Sequence, residues 1–188
     1  MNWFVFILGA WVCFGLELAL KPVLDAGSQG VHPSMVVPLL VFIAINAPRK
    51  PTLWAAILLG AVMDLLSPIP AVDGGTLTII GPHALGYLLG VHFVLAVRGM
   101  LIRRNPLTMI VISILVMMIA QIVVVAVFSA RDLGASSIVW DAGDQLRARF
   151  FSSLYTGVSA LLLSFVFFAL GPVFGFHTTV PTRFARHI

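Results

Sequence analysis

Charge is what this chain has least of: only 10% of its 188 residues are Asp, Glu, Lys or Arg, against roughly 25% in an ordinary soluble domain. Cysteine is nearly absent, with Cys13 alone, so no disulfide forms within the chain and thiolate metal sites are excluded. Several catalytic signatures are missing as well. There is no His-Glu-x-x-His helix, no Gly-x-Ser-x-Gly elbow and no glycine-rich phosphate loop. Low-complexity segments and internal repeats are not found. The first residues, Met1 to Phe6, offer neither a positive region nor a small-residue cleavage site, so the first helix is expected to be retained.

What is present is apolar. Hydrophobic residues make up 60% of the chain and the mean hydropathy is +1.08, the composition of an integral membrane protein. The length is consumed by runs near ~20 residues, each enough to cross ~30 Å of hydrocarbon. An all-α protein follows, with residues 1–188 as a single six-helix transmembrane domain. The helices are expected at Trp3 to Leu20, Pro33 to Asn46, Pro51 to Ser67, Thr78 to Val97, Pro106 to Ala130 and Phe150 to Leu170. Lys21-Pro22 is read as the stop of the first. The second is short and carries Pro38, which leaves a kinked, flank-extended or re-entrant segment open beside the favoured spanning helix. Arg131 to Arg149, with Trp140 among Asp132, Asp141 and Asp144, reads as a long interfacial loop.

The formal charge of +4 has no basic block or nucleic-acid signature behind it, so no nucleic-acid partner is expected. The basic residues instead report topology. With the N-terminus inside, Arg49, Lys50, Arg98, Arg103, Arg104, Arg183 and Arg186 fall on the inner side, and Lys21, Arg131, Arg147 and Arg149 on the outer. Lys/Arg excess marks the cytoplasmic face, so both termini are expected to be cytoplasmic.

One stretch concentrates costly choices. Gly60-Ala-Val-Met-Asp64 puts a carboxylate inside an apolar helix, Ser67-Pro68 breaks it, Gly74 and Gly75 turn the chain, and His83, Gly86 and Tyr87 lie on the next helix. A charge within hydrocarbon costs roughly 2.5–3.5 kcal/mol on insertion scales, so Asp64 needs a partner or a task. Two readings stand: a pairing with His83 in a polar depression of the outer surface, or hydrogen bonds to backbone at Gly74-Gly75. Glu17 lies near the same surface. An ion pair with Lys21, four residues on, is the favoured account of it, with a pocket carboxylate as the alternative. No serine or cysteine nucleophile is placed beside Asp64 and His83, so no catalytic residue, metal ligand or cofactor is assigned.

Small residues make two further faces, where helices in lipid can approach closely. Gly15 and Ala19 on the first helix are read as partner-binding candidates. Ser153, Gly157, Ala160 and Ser164 on the last are assigned to internal packing.

Gly60-x-x-x-Asp64-Leu, a break, a glycine at Gly74 or Gly75, and Gly86-Tyr87-Leu in the following helix resemble the signature of the MreD family, small membrane proteins of the rod-shape (elongasome) system. The resemblance covers residues 60–90. It implies a non-enzymatic partner of a single-span, MreC-like membrane protein in the lipid bilayer, linked indirectly to MreB and the cell-wall synthases of peptidoglycan synthesis and cell shape. It also implies a helix arrangement similar to the substrate-binding subunits of energy-coupling-factor vitamin transporters, and a bacterial inner membrane location. The loops at 67–77 and 131–149 are long for that family. The competing class is a solute-binding subunit of such a transporter, for which Trp140, Asp141 and Asp144 are the residues able to line a ligand site.

Overall fold

A computed structural model describes residues 1–24, 31–70, 75–102, 105–134 and 141–176. The described residues are 79% helix, in six helices: α1 (Trp3–Leu24), α2 (Val36–Asn46), α3 (Arg49–Leu66), α4 (Pro82–Val97), α5 (Pro106–Gly134) and α6 (Ala142–Leu170). Two short strands, β1 (Ile69–Pro70) and β2 (Thr76–Leu77), pair antiparallel between α3 and α4. Among the described residues three helices, α1, α5 and α6, are long and apolar enough to cross a membrane. Gly74 and Trp140 lie outside the described residues, as do Arg103, Arg104, Arg183 and Arg186.

The bundle is organised around its shortest helix. Every residue of α2 from Val36 to Ile45 is buried, and α2 packs against all five other helices. An apolar sequence without a polar face has to be enclosed on all sides, and here it is. Its 11 residues rise only about 17 Å at ~1.5 Å each, so the helix expected over 33–46 does not by itself span hydrocarbon. Around it, α3, α4, α5 and α6 pack in sequence order, and α1 lies outermost, burying one narrow stripe of Phe6, Ala10, Cys13 and Glu17.

Glycines set the closest contacts between helices. A Cβ on Gly60 would lie 2.4 Å from Ala84 Cα, so α3 meets the first turn of α4 through that residue. On α4, a Cβ at Gly86 would come within 2.8 Å of Ala120 Cα, and one at Gly90 within 2.8 Å of Val116 Cγ1. Gly157 of α6 does the same towards Ile114 of α5. Its neighbours Ser153, Ala160 and Ser164 are buried too, so the small-residue stripe of α6 faces the bundle.

Several boundaries differ from expectation. α1 runs through Pro22 to Leu24, because proline in a last turn removes one donor without forbidding helical torsions for itself. α4 begins at Pro82 rather than Thr78: Thr76 and Leu77 are held in β2 and Gly81, at φ 135°, adopts a torsion that favours glycine. The largest difference is at 131–149. α5 continues to Gly134 and α6 starts at Ala142, so most of the stretch expected as a loop is helical. Asp141 caps α6, accepting from the N–H groups of Gly143 (2.9 Å) and Asp144 (3.1 Å), the standard satisfaction of a helix's first donors.

Candidate functional site

A helix start buried in a bundle leaves N–H donors that need acceptors, and two carboxylates meet this need in two different hairpins. In the α3–α4 hairpin, Gly60 admits the backbone of α4 and Asp64, one turn on, faces its first turn. Asp64 Oδ2 accepts from Gly81 N–H (2.7 Å) and Ala84 N–H (3.3 Å). Oδ1 accepts from His83 N–H (2.9 Å) and contacts His83 Nδ1 at 2.7 Å. The side chain is only 2% exposed. Both oxygens are thus engaged, and negative charge at a helix N-terminus is favoured by the helix dipole. Of the two readings of Asp64, the pairing with His83 is present, and its backbone donors are Gly81, His83 and Ala84; Gly74 of the other reading lies outside the described residues. Gly75 itself is exposed just before β2.

The α1–α2 hairpin repeats the device. Glu17 Oε2 accepts from Ser34 Oγ (3.1 Å), Met35 N–H (2.9 Å) and Val36 N–H (3.1 Å). This overturns the expected ion pair: the carboxylate turns inward to α2, and no ion pair joins it to Lys21 among the described residues. α6 completes the same junction. Thr156 Oγ1 accepts from Ser34 N–H (3.0 Å) and Ser159 Oγ donates to Ser34 O (2.7 Å). At the other end of α2, Arg98 Nη1 donates to Ala47 O (2.9 Å), so the central helix has an acid at its start and a base at its end.

Tyr87 is buried beside the α3–α4 junction. It is 1% exposed, and its ring stands edge-on to His83 with centroids 6.3 Å apart. Gly86 beside it serves the α4–α5 contact.

Between these junctions and α6 lies a cavity of about 490 Å³, lined among others by Glu17, Lys21, His83, Gln121, Arg149 and Ser152. Glu17 and His83, separated by most of the two hairpins in sequence, meet in its wall. Asp64 does not line it; the carboxylate sits behind His83. Asp141 and Asp144, read as ligand-site candidates, do not line it either: Asp141 caps α6, and Asp144 is exposed in its first turn. The residues that do line it from α5 and α6 are Met117, Gln121, Gln145, Ala148, Arg149 and Ser152, with Arg149 Nη1 donating to Gln121 Oε1. A signal for them was present: a helix begun at Asp141 puts 145, 148, 149 and 152 on one face at helical spacing.

Gly15 and Ala19 are elsewhere. Both are exposed on α1, and nothing lies within 4 Å of a Cβ built on Gly15. No family model, curated protein or solved structure matches the chain.

Proposed function

We propose that the chain is a non-enzymatic membrane scaffold of the rod-shape system, holding an MreC-like single-span partner and through it MreB and the cell-wall synthases. Its place in this reading is the bacterial inner membrane, with six passes and cytoplasmic termini. The second pass is α2 completed by its non-helical approach, residues 31–35. Irregular backbone is tolerated at membrane depth where protein satisfies it, and Glu17, Thr156 and Ser159 do so here.

The observation that carries the reading is the use of the hairpin motif. Gly60 gives close approach, Asp64 spends both oxygens on α4, and Gly86 packs α4 on α5, so these three residues of the family-like signature serve the packing of α4 against α3 and α5. The other support is α1, whose small-residue patch at Gly15 and Ala19 is open on the outermost helix. Association of helices in lipid depends on close packing that small side chains permit.

Copurification from native membranes tests this. Gly15→Leu is expected to reduce recovery of a single-span partner while the chain stays folded. Unchanged recovery with Gly15→Leu, or no such partner with the wild type, contradicts it. A second reading, a solute-binding transport subunit, is favoured by the cavity beside Glu17 and His83.

A further inference from the structure

The imidazole that Asp64 holds has a second nitrogen. His83 is 5% exposed, its backbone N–H and its Nδ1 both go to Asp64 Oδ1, and Nε2 has no hydrogen-bond partner among the described residues. Because Asp64 Oδ1 is an acceptor, Nδ1 carries the proton, and the neutral ring then offers Nε2 as an acceptor. Asp64 already receives N–H groups from Gly81, His83 and Ala84, so it needs from the ring a hydrogen bond and not a charge. Nε2 lies on the edge of the ring away from Nδ1. Since Asp64 sits behind His83 and His83 lines the cavity of about 490 Å³, that edge is the one turned to the open space. Unlike Glu17 Oε1, it is not sealed in the wall. The cavity is within the roughly 300–1,000 Å³ range of small-molecule sites, where a few aimed polar groups fix a guest.

The other walls define what fits. Met63, Leu66 and Met117 supply apolar surface, and Gln145 and Ser152 of α6 supply polar side chains that also lack a hydrogen-bond partner among the described residues. A wholly apolar guest leaves these groups and Nε2 unmatched. Formal charges around the cavity already balance, with Glu17 in the wall and Asp64 behind it against Lys21 and Arg149. A guest of either sign adds a charge that nothing offsets. We infer that this cavity binds an uncharged small molecule with an apolar body and one N–H or O–H donor, the donor directed to His83 Nε2. Asp64 is a positioning residue here, since its bond to Nδ1 fixes which ring nitrogen is left as the acceptor. The inference rests on the solute-binding reading of the cavity and names its ligand class, and it requires neither transport nor a partner.

The test uses the full chain in nanodiscs, with protein-free nanodiscs as the blank, and four related probes read by equilibrium dialysis. Indole carries an N–H donor on an apolar body, and 1-methylindole lacks the donor. Indole-3-acetate and tryptamine add a negative and a positive charge. The wild type should retain indole, hold 1-methylindole about tenfold more weakly through the loss of one hydrogen bond at a buried acceptor, and hold both charged relatives more weakly than indole. His83→Asn keeps an NH₂ that can donate to Asp64 but has no Nε2, so it should hold the two neutral indoles equally. Ala148→Leu fills part of the cavity without touching a charged group and should weaken both, which reads the location even where His83→Asn does not fold. The inference is overturned if the folded wild type retains no indole, if 1-methylindole or a charged relative binds as tightly, if folded His83→Asn still prefers indole, or if Ala148→Leu leaves its affinity unchanged. Binding without uptake into proteoliposomes removes the transport reading and leaves the site standing. Partner recovery is scored separately in the same preparations.

Discussion

The α1–α2 and α3–α4 hairpins solve one problem with different completeness. In each, a carboxylate late in the first helix receives the free N–H groups at the start of the second. Asp64 uses both oxygens and adds an imidazole at 2.7 Å. Glu17 gathers three donors on Oε2 and leaves Oε1 without a partner. The shorter side chain, locked behind Gly60, has become a structural part. The longer one keeps one buried oxygen without a hydrogen-bond partner.

Breaking the complete junction should cost most. Asp64→Leu removes the acceptor for the N–H groups of Gly81, His83 and Ala84 and for His83 Nδ1, a loss of about 1–3 kcal/mol for each buried group left unpaired. Unfolding titrations in detergent should read it as failure to accumulate folded protein. Asp64→Asn should lose less than Asp64→Leu.

Next comes the contact that permits the junction. Gly60→Ala places a methyl against α4 backbone, which cannot yield as a side chain tip can, and about 1–3 kcal/mol of overpacking is expected. Gly157→Ala meets the end of the Ile114 side chain instead, and should cost less in the same titration. Equal losses would show that α3 and α4 separate freely.

The cap of α6 is smaller again. Asp141→Ala should destabilise by about 1 kcal/mol, seen as increased hydrogen exchange at Gly143 and Asp144. It should not release a ligand from the cavity, since Asp141 does not line it. The smallest effect on stability belongs to α1: Gly15→Leu has open space to enter and should leave unfolding unchanged while lowering partner recovery.

How much of this could be read in advance depended on how local the cause was. The helix carrying Gly60 and Asp64, the break after Leu66 and the pairing with His83 were legible, because a charge in an apolar run demands compensation wherever it lies. The identity of the N–H donors was not. They come from Gly81 and beyond, and their position depends on where β1 and β2 carry the chain. Glu17 was misread for the same reason: Lys21 is its visible neighbour at four residues, whereas Met35 and Val36 become neighbours only once α2 folds back into the bundle. That α2 is central was hidden by its length, which suggested an incomplete span rather than an enclosed one. The early start of α6 was legible and missed. Asp141, with Asp144 three residues on, is a helix-start pattern, obscured by reading the cluster of acids as a loop.

The most direct test compares one isosteric change at both junctions. An amide has one acceptor and one donor end. At position 17 this matches the observed use, since the oxygen can keep the contacts of Oε2 and the NH₂ takes the place of the unpartnered Oε1. At position 64 it does not, because N–H groups face both oxygens and the NH₂ must oppose some of them. Unfolding free energies of Glu17→Gln and Asp64→Asn, measured in the same detergent, should therefore differ, with Asp64→Asn losing at least about 1–3 kcal/mol more. Equal losses, or a greater loss at Glu17, would contradict the division between a fully engaged carboxylate and a half-engaged one.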